Sequence, residues 1–359
     1  MANLSVYFIV PAPKGCSPGQ RFRFEHYLEA LNAFGIDYKL SSFYSAKGWA
    51  CLYQPGLFLK KIAIVLRGWA VRVRDLFRLR NYSYVYIFRE AAPIGPPFFE
   101  WVIAKILRKK IIYDFDDAIW IPVVSERNKL IMRLKWFSKV SKICKMSYTV
   151  TVGNSFLAQF ANAYCTEVVV IPTVVDTETK FSQMQEHNSK PLSVGWTGTH
   201  STLKYLDIVE PVIRKLQLDF DFTFIVIADR DPQLDLKKYK FIKWNAESEI
   251  QDLLNLQIGL MPLYDGNLEK GKCGFKAIQY MALGIPAVVS PVGVNKVIVE
   301  DAINGFVCTT ESEWEAKIKR LLIDSRLREI MGEAAKQKVK KFYSVKATSG
   351  LFLALFKNS

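Results

Sequence analysis

Short apolar runs rich in Val, Ile, Phe and Tyr recur along the whole chain, separated by stretches in which apolar positions follow a helical period. Such runs predict strands buried on both faces. They fall at residues 6–11, 84–88, 110–114, 149–151 and 168–171, and then at 192–196, 223–228, 241–244, 259–262, 287–290 and 305–308. Residues 20–34, 203–216, 275–283 and 312–324 carry the helical spacing. Strand–helix alternation predicts an α/β chain with parallel sheets covered by helices. At 177–190, Asp, Glu, Thr, Ser, Gln and Asn replace the apolar pattern. Two doubly wound, Rossmann-like domains are therefore expected, residues 1–178 and residues 179–342. Ligands of such sheets bind beyond the carboxyl ends of the strands, so two facing domains would form a cleft.

Composition narrows the class. Half of the 359 residues are hydrophobic, which excludes a disordered chain and supplies material for two cores. No apolar run approaches the ~20 residues of a membrane-spanning helix. The opening residues, Met1 through Val10 in order, lack a basic region and a cleavage site and read as a first strand rather than a signal peptide. The six cysteines form no CxxC pair. That pattern suits reduced thiols in a cytoplasm, not a disulfide framework or structural zinc. With three histidines, a His-rich metal site is not expected.

The net charge of +15 is segregated. Residues 1–180 hold 25 Lys+Arg against 13 Asp+Glu, and the remainder is nearly balanced. A basic half points to an anionic partner. Two segments concentrate the charge. The first opens on Leu57 and ends on Arg80; helical spacing puts Lys60, Arg67, Arg74 and Arg78 on one face. Leu59, Ile62, Leu66, Trp69, Val73 and Phe77 cluster on the other. The second, from Arg127 to Lys145, combines seven basic residues with Leu130, Ile131, Leu134, Trp136, Phe137 and Val140. An apolar face with Trp and Phe bordered by Lys and Arg suits the headgroup region of an anionic leaflet. An ordinary helix packed on its own sheet with a solvated basic face is the competing reading. No aromatic–basic module supports a nucleic-acid partner.

Candidate chemistry gathers in residues 271–295, a Gly- and Lys-bearing loop, a helix, a Gly-Ile-Pro turn, a buried strand and a second Gly loop. Helix N-termini and closely approached backbone donors bind anions, and lysines neutralise them. That construction suits a diphosphate. Upstream, the strand ending near Trp196 passes through Gly198, Thr199 and His200 into a helix bearing Lys204.

These residues resemble the family 4, or group 1, glycosyltransferases, retaining enzymes of GT-B architecture that use nucleotide sugars. The run Tyr280-Met281-Ala282-Leu283-Gly284-Ile285-Pro286 carries the resemblance most specifically. Arg21-Phe22-Arg23, Arg89-Glu90, Tyr113-Asp114-Phe115-Asp116-Asp117 and Ile171-Pro172-Thr173 resemble a bacterial cell-surface polysaccharide branch. The resemblance implies that residues 343–359 return to complete the first domain through Leu351, Phe352, Leu355 and Phe356. It also implies closure over the donor hinged at 177–190.

The family's two donor-site glutamates are not matched: Gly271 and Gln279 stand at those positions. Its Arg/Lys phosphate pair is represented by Thr199 and Lys204, and the place of its first-domain histidine by Asp116. The resemblance implies Lys204 and Lys272 at the leaving diphosphate and Asp116 and Asp117 on the acceptor side. Gly198, Thr199, Gly274, Phe275, Lys276, Ser290 and Gly293 complete the donor site, with Gln279 at the ribose. No metal or other cofactor is expected, although Asp114-Phe115-Asp116 also matches the metal-binding DxD pattern of another glycosyltransferase fold. The expected activity is transfer from a UDP- or GDP-sugar to a lipid-linked glycan at the cytoplasmic face of the plasma membrane. A nucleotide-sugar epimerase and an assembly subunit without turnover are the alternatives. Nothing in the residues selects the sugar, the linkage or the oligomeric state.

Overall fold

The computed structural model describes residues 4–52, 54, 56–122, 135–188 and 191–356. The chain divides into two compact units. One runs to Thr173 and takes in the chain again from Ser349; the other is Val174–Thr348. Each is built on a parallel six-stranded sheet.

In the first unit the strands are β1 (Ser5–Val10), β2 (Asp37–Ser42), β3 (Tyr84–Phe88), β4 (Lys110–Phe115), β5 (Thr149–Val152) and β6 (Val168–Val170), in the order β2-β1-β3-β4-β5-β6. β1, β3 and β4 are almost wholly buried, which is why they read as continuous apolar runs. β2 escaped that pattern. Its residues alternate in exposure along an outer edge, and Asp37 and Lys39 break the apolar run.

The helix expected over 20–34 is broken into α1 (Pro18–Arg23), a short turn at Glu25–Tyr27, and α2 (Leu28–Ala33). Arg23 is the last residue of α1. Its guanidinium is buried and bonds both oxygens of Asp114, at 2.5 and 3.3 Å, and the carbonyl of Ile171. The remaining helices are α3 (Ala46–Leu52), α4 (Phe58–Arg78), α5 (Phe98–Trp101, continued by a π-helical turn at Val102–Ile106), α6 (Lys139–Met146) and α7 (Ser155–Asn162). α7 is capped by Asn154, whose Oδ1 accepts from the Leu157 amide at 2.9 Å.

α4 is built against the usual rule. The face turned to the protein carries Gly68, Arg72 and Asp75, all buried, and the ring of Phe43 lies flush against Gly68. Arg72 donates to the carbonyls of Val10, Ser41 and Ala91 and pairs with Asp75 at 3.0 Å. Asp75 also accepts from Tyr7 at 2.8 Å and Ser41 at 2.6 Å. Removing one partner of a buried ion pair strands the other, at about 3–5 kcal/mol. Asp75→Ala is therefore expected to lower unfolding stability by about that amount, read as a reduced urea midpoint. An unchanged midpoint would show that Arg72 is satisfied by the three carbonyls alone.

With the inner face polar, the apolar stripe faces outward. Leu59 is 78% exposed and Phe77 73%, and Ile62, Leu66, Trp69 and Val73 between them are also exposed. So are Lys60, Arg67, Arg74 and Arg78. α4 does pack on its own unit and keeps a solvated basic face, as the competing reading has it, but through Gly68, Arg72 and Asp75 rather than through the apolar stripe. In the second basic segment, residues 127–134, with Arg127, Leu130, Ile131 and Leu134, lie outside the described residues. Val140 is buried against the unit, and Trp136 is exposed.

The second unit holds β7 (Ser193–Gly198), β8 (Thr223–Ala228), β9 (Tyr239–Lys243), β10 (Ile258–Met261), β11 (Ala287–Val289) and β12 (Gly305–Val307), in the order β12-β11-β10-β7-β8-β9. Its helices include α8 (Glu210–Asp219), α9 (Glu249–Leu253), α10 (Asn267–Lys270), α11 (Phe275–Ala282), α12 (Asn295–Ile298), α13 (Glu311–Ile323) and α14 (Ser325–Phe342). Trp196 and Trp314 anchor a core with Phe224, Ile318 and Leu321.

The described part of the polar stretch, residues 177–188, is not a free connector. Phe181, Gln185 and His187 are buried in the second unit. Lys336 donates to the carbonyls of Ser182 and Gln183, and Arg328 to that of His187. Its polar composition serves these backbone and side-chain bonds. α15 (Val345–Ala354) carries the chain back to the first unit. Phe352 stacks on Tyr27 at 4.4 Å and Phe356 meets Tyr84 edge-on, whereas Leu351, expected in that contact, is half exposed.

Candidate active site

In the second sheet, successive connections from β7 run outward through β8 and β9, and the chain then returns to place β10 on the other side of β7. The strand order thus reverses between β7 and β10, where doubly wound folds open a crevice at the carboxyl edge. β7 and β10 pair only at Val194–Ile258 and Gly195–Gly259. Beyond that point the Tyr280 hydroxyl bridges them, accepting from the Thr197 amide at 2.8 Å and donating to the Leu260 carbonyl at 3.3 Å. Burial pushes the Tyr280 phenol well up, so it stays a neutral bridge.

Several of the expected donor residues converge at this edge. Gly198 ends β7, and Thr199 leads into a 3₁₀ helix at His200–Ile208, its amide donating to Thr202 Oγ1 at 3.1 Å. Gly198 has to be glycine, because a Cβ there would lie 2.2 Å from Trp196 and 2.7 Å from Lys276 Nζ. Lys276, in the first turn of α11, extends over the Trp196 ring at 3.9 Å from its centroid and reaches Thr202 Oγ1 at 3.4 Å. Burial, and then the charge of Lys272, holds its ammonium well below the usual lysine range. Among the described residues no carboxylate pairs with it.

Gly274 precedes α11 with φ +67°, a left-handed conformation glycine adopts without steric cost, and a Cβ there would lie 2.1 Å from Ile298. Ser290 follows β11; its hydroxyl accepts from the Leu263 amide at 2.9 Å, fixing the loop after β10, and Gly293 turns the next loop. Phe275, partly exposed, opens α11.

Two expected residues are committed to protein partners. Lys204 lies 3.6 Å from Glu269, which also accepts from Tyr205 at 2.6 Å. Gln279 is buried and donates to Glu249 at 3.3 Å, as does Trp244. Glu249, the first residue of α9, thus holds both side chains. Glu269 escaped sequence reasoning; an acidic residue just before Gly271-Lys272 was the available signal. His200, which follows Thr199, bonds Asp229 at 2.6 Å through Nδ1.

In the first unit the strand order reverses between β1 and β3. Arg89 follows β3 with φ +61°, a conformation uncommon outside glycine. Its amide donates to the Asp114 carbonyl at 2.7 Å and its carbonyl accepts from Tyr113 at 2.7 Å. The guanidinium grips Asp116 through two bonds of 2.7 and 2.9 Å. Burial alone would lower the Arg89 pKa, but Asp116 and Asp117 outweigh it and hold the charge firmly in place. Asp117 caps its own turn, accepting from the Ala118 amide at 3.0 Å. The DxD reading fails on geometry: Asp114 is fully buried and consumed by Arg23 and Thr151, so no free carboxylate pair is presented.

Residues 230–338 match the family described as glycosyl transferases group 1. That match lies within the second unit. It spans the second unit's chemistry from the end of β8 through α11 into α14. No curated protein matches the chain significantly. A glycosyltransferase from Rickettsia africae ESF-5 is similar over 100% of both chains, at 14% identity and a TM-score of 0.70. HepE from Anabaena, solved with UDP-glucose, is similar over 98% of this chain and 99% of its own, at 15% identity and 0.67. WaaG, described as a glycosyltransferase involved in lipopolysaccharide biosynthesis, matches over 99% and 100%, at 12% and 0.64. The fold is GT-B, two Rossmann-like domains, and the group 1 segment supports glycosyl transfer.

Proposed function

We propose that the chain moves a sugar, with retention, from a UDP- or GDP-sugar to a lipid-linked glycan at an anionic leaflet. The observation that carries this reading is Lys276, in the first turn of α11, lying over Trp196 beside Gly198 at the crevice, with the charge of Lys272 acting on it. A cation desolvated against Trp196 and crowded by a second lysine gains most from an anion. A diphosphate leaving group gathers negative charge as the sugar departs, and fixed positive charge aimed there lowers the barrier. The lysines supply that charge without a metal. Lys204 is a second phosphate contact, exchanging Glu269 for the ligand, and Gln279 serves the ribose from beside Glu249. Asp116, oriented by Arg89, faces the acceptor side. HepE's complex with UDP-glucose and WaaG's role in lipopolysaccharide synthesis favour a nucleotide-sugar donor and a bacterial surface glycan. No described helix is long and apolar enough to cross a membrane, so contact with the leaflet falls to α4.

A thermal-shift panel of UDP, GDP, ADP and CMP tests the donor claim. A ligand at a hundred times its Kd adds about 2.7 kcal/mol, so UDP or GDP is expected to raise the melting temperature by several degrees. Lys272→Ala should lose that rise. No shift with any nucleotide sinks the reading. The buried bond from Gln279 to Glu249 favours one rival, a subunit without turnover. Nucleotide binding with no hydrolysis or transfer from any matching nucleotide sugar would decide for it.

A further inference from the structure

The connections from β2 through β6 all advance in one direction across the first sheet. Right-handed crossovers therefore place α4, α5 and α6 in one layer on one face. α4 packs beside α5 and α5 beside α6. Between α5 and α6 lies an open groove of about 440 Å³. Pro96, Phe98, Trp101 and Met146 form its apolar wall, and Lys142 and Lys145 stand over it. Phe98 is 55% exposed and Trp101 47%, on the helix that packs beside α4.

Among the described residues of its lining, the charge has one sign. Lys142 and Lys145 are exposed, and their nearest described neighbours of note are rings: Trp136 at 5.9 Å and Tyr164 at 5.4 Å. The nearby carboxylates are spent, Glu100 on the Ala91 amide and Glu90 on Lys139. An apolar trough flanked by two cations, with no carboxylate among the described residues of its lining, complements a molecule with a hydrocarbon chain and an anionic head. The geometry points to a single-lipid site between α5 and α6, in which the chain of a phosphate-bearing lipid lies along Phe98, Trp101 and Met146. Its phosphate meets Lys142 and Lys145. This deepens the reading of a lipid-linked acceptor and rests on it for the lipid's role, though not for its binding. Pro96 closes the loop that starts at Arg89, so the groove begins at the sheet edge where Asp116 is held.

The test uses the full chain and a short-chain phosphatidic acid, below its micelle concentration, with a photoactivatable diazirine in one chain. Labelled peptides are expected to map to residues 96–101 and 142–146. The matching phosphatidylcholine should label at least fivefold less, and glycerol 3-phosphate at equal concentration should not compete. Lys142→Ala with Lys145→Ala, both on the surface, should reduce labelling at least fivefold with an unchanged melting temperature. Trp101→Glu, which blocks the wall, should do the same. Labelling elsewhere, equal labelling by the two lipids, or full competition by glycerol 3-phosphate would overturn the site. The UDP shift measured on the same samples separates the two proposals, since it reads the second unit and is expected to survive every groove variant.

Discussion

Lys276→Met is expected to weaken UDP or GDP binding by about 10- to 100-fold. The free protein should melt at the same temperature or higher. A hydrogen bond to a charged group contributes about 1.5–3 kcal/mol, which sets the range. The ammonium sits over Trp196 with Lys272 nearby, so removing it relieves a desolvated charge and leaves an apolar stem on the ring. The pH dependence follows from the lowered pKa. Between the folded value and the ordinary ~10.4 of lysine, the unfolded chain holds a proton the folded one has lost. Stability due to this residue therefore rises with pH across that window. Below the folded value both states are charged and the burial penalty is constant. A bound diphosphate favours the charged form, so affinity is greatest below the folded value and falls as pH rises through it, with proton uptake on binding. Titration calorimetry in two buffers of different ionisation enthalpy measures that uptake. Lys276→Arg, charged at every accessible pH, should bind without it. Wild-type affinity in Lys276→Met would remove this lysine from the donor site.

How far the sequence reaches is visible in particular residues. The interior strands were legible because burial on both faces leaves an unbroken apolar run, as in β3 and β8. β2 was not, since an edge strand with Asp37 and Lys39 has no such signature. The loops around Gly198, Gly274 and Gly293 were legible because tight backbone approaches need glycine. What those loops do with side chains was hidden. That Lys276 lies on Trp196, that Lys204 leans on Glu269, and that Gln279 meets Glu249 depends on distances across 30 or more residues. The pairing of Arg23 was hidden in the same way: its partner Asp114 is 91 positions away. Residues 57–80 were the instructive case. Their spacing revealed an apolar stripe but not which way it points. The direction is set by Arg72 and Asp75, two charges that read as surface residues until Tyr7, Ser41 and three carbonyls are found around them.

That inversion sets the second large effect. Leu66→Glu combined with Trp69→Glu is expected to reduce recovery on anionic vesicles by more than tenfold. The melting temperature should be unchanged, because both side chains already face solvent. Fully burying an apolar side chain of this size contributes about 1.5–3 kcal/mol, and each introduced carboxylate adds repulsion from the leaflet. Removing charge tests the other half of the mechanism. A basic residue near an anionic surface contributes about 1 kcal/mol, so Lys60→Ala with Arg67→Ala should cost about 2 kcal/mol, near 30-fold. That loss should shrink at high salt, where the Debye length drops to about 3 Å at 1 M. If α4 were instead covered by a protein, these substitutions would leave vesicle recovery alone. Equal recovery with neutral and anionic vesicles, insensitive to salt, would rule out a basic docking face. The order of the two losses is itself informative. An apolar stripe exposed along a 21-residue helix carries a standing liability for aggregation in water. Its retention beside a basic row is accounted for when lipid, rather than water, is what the helix ordinarily faces.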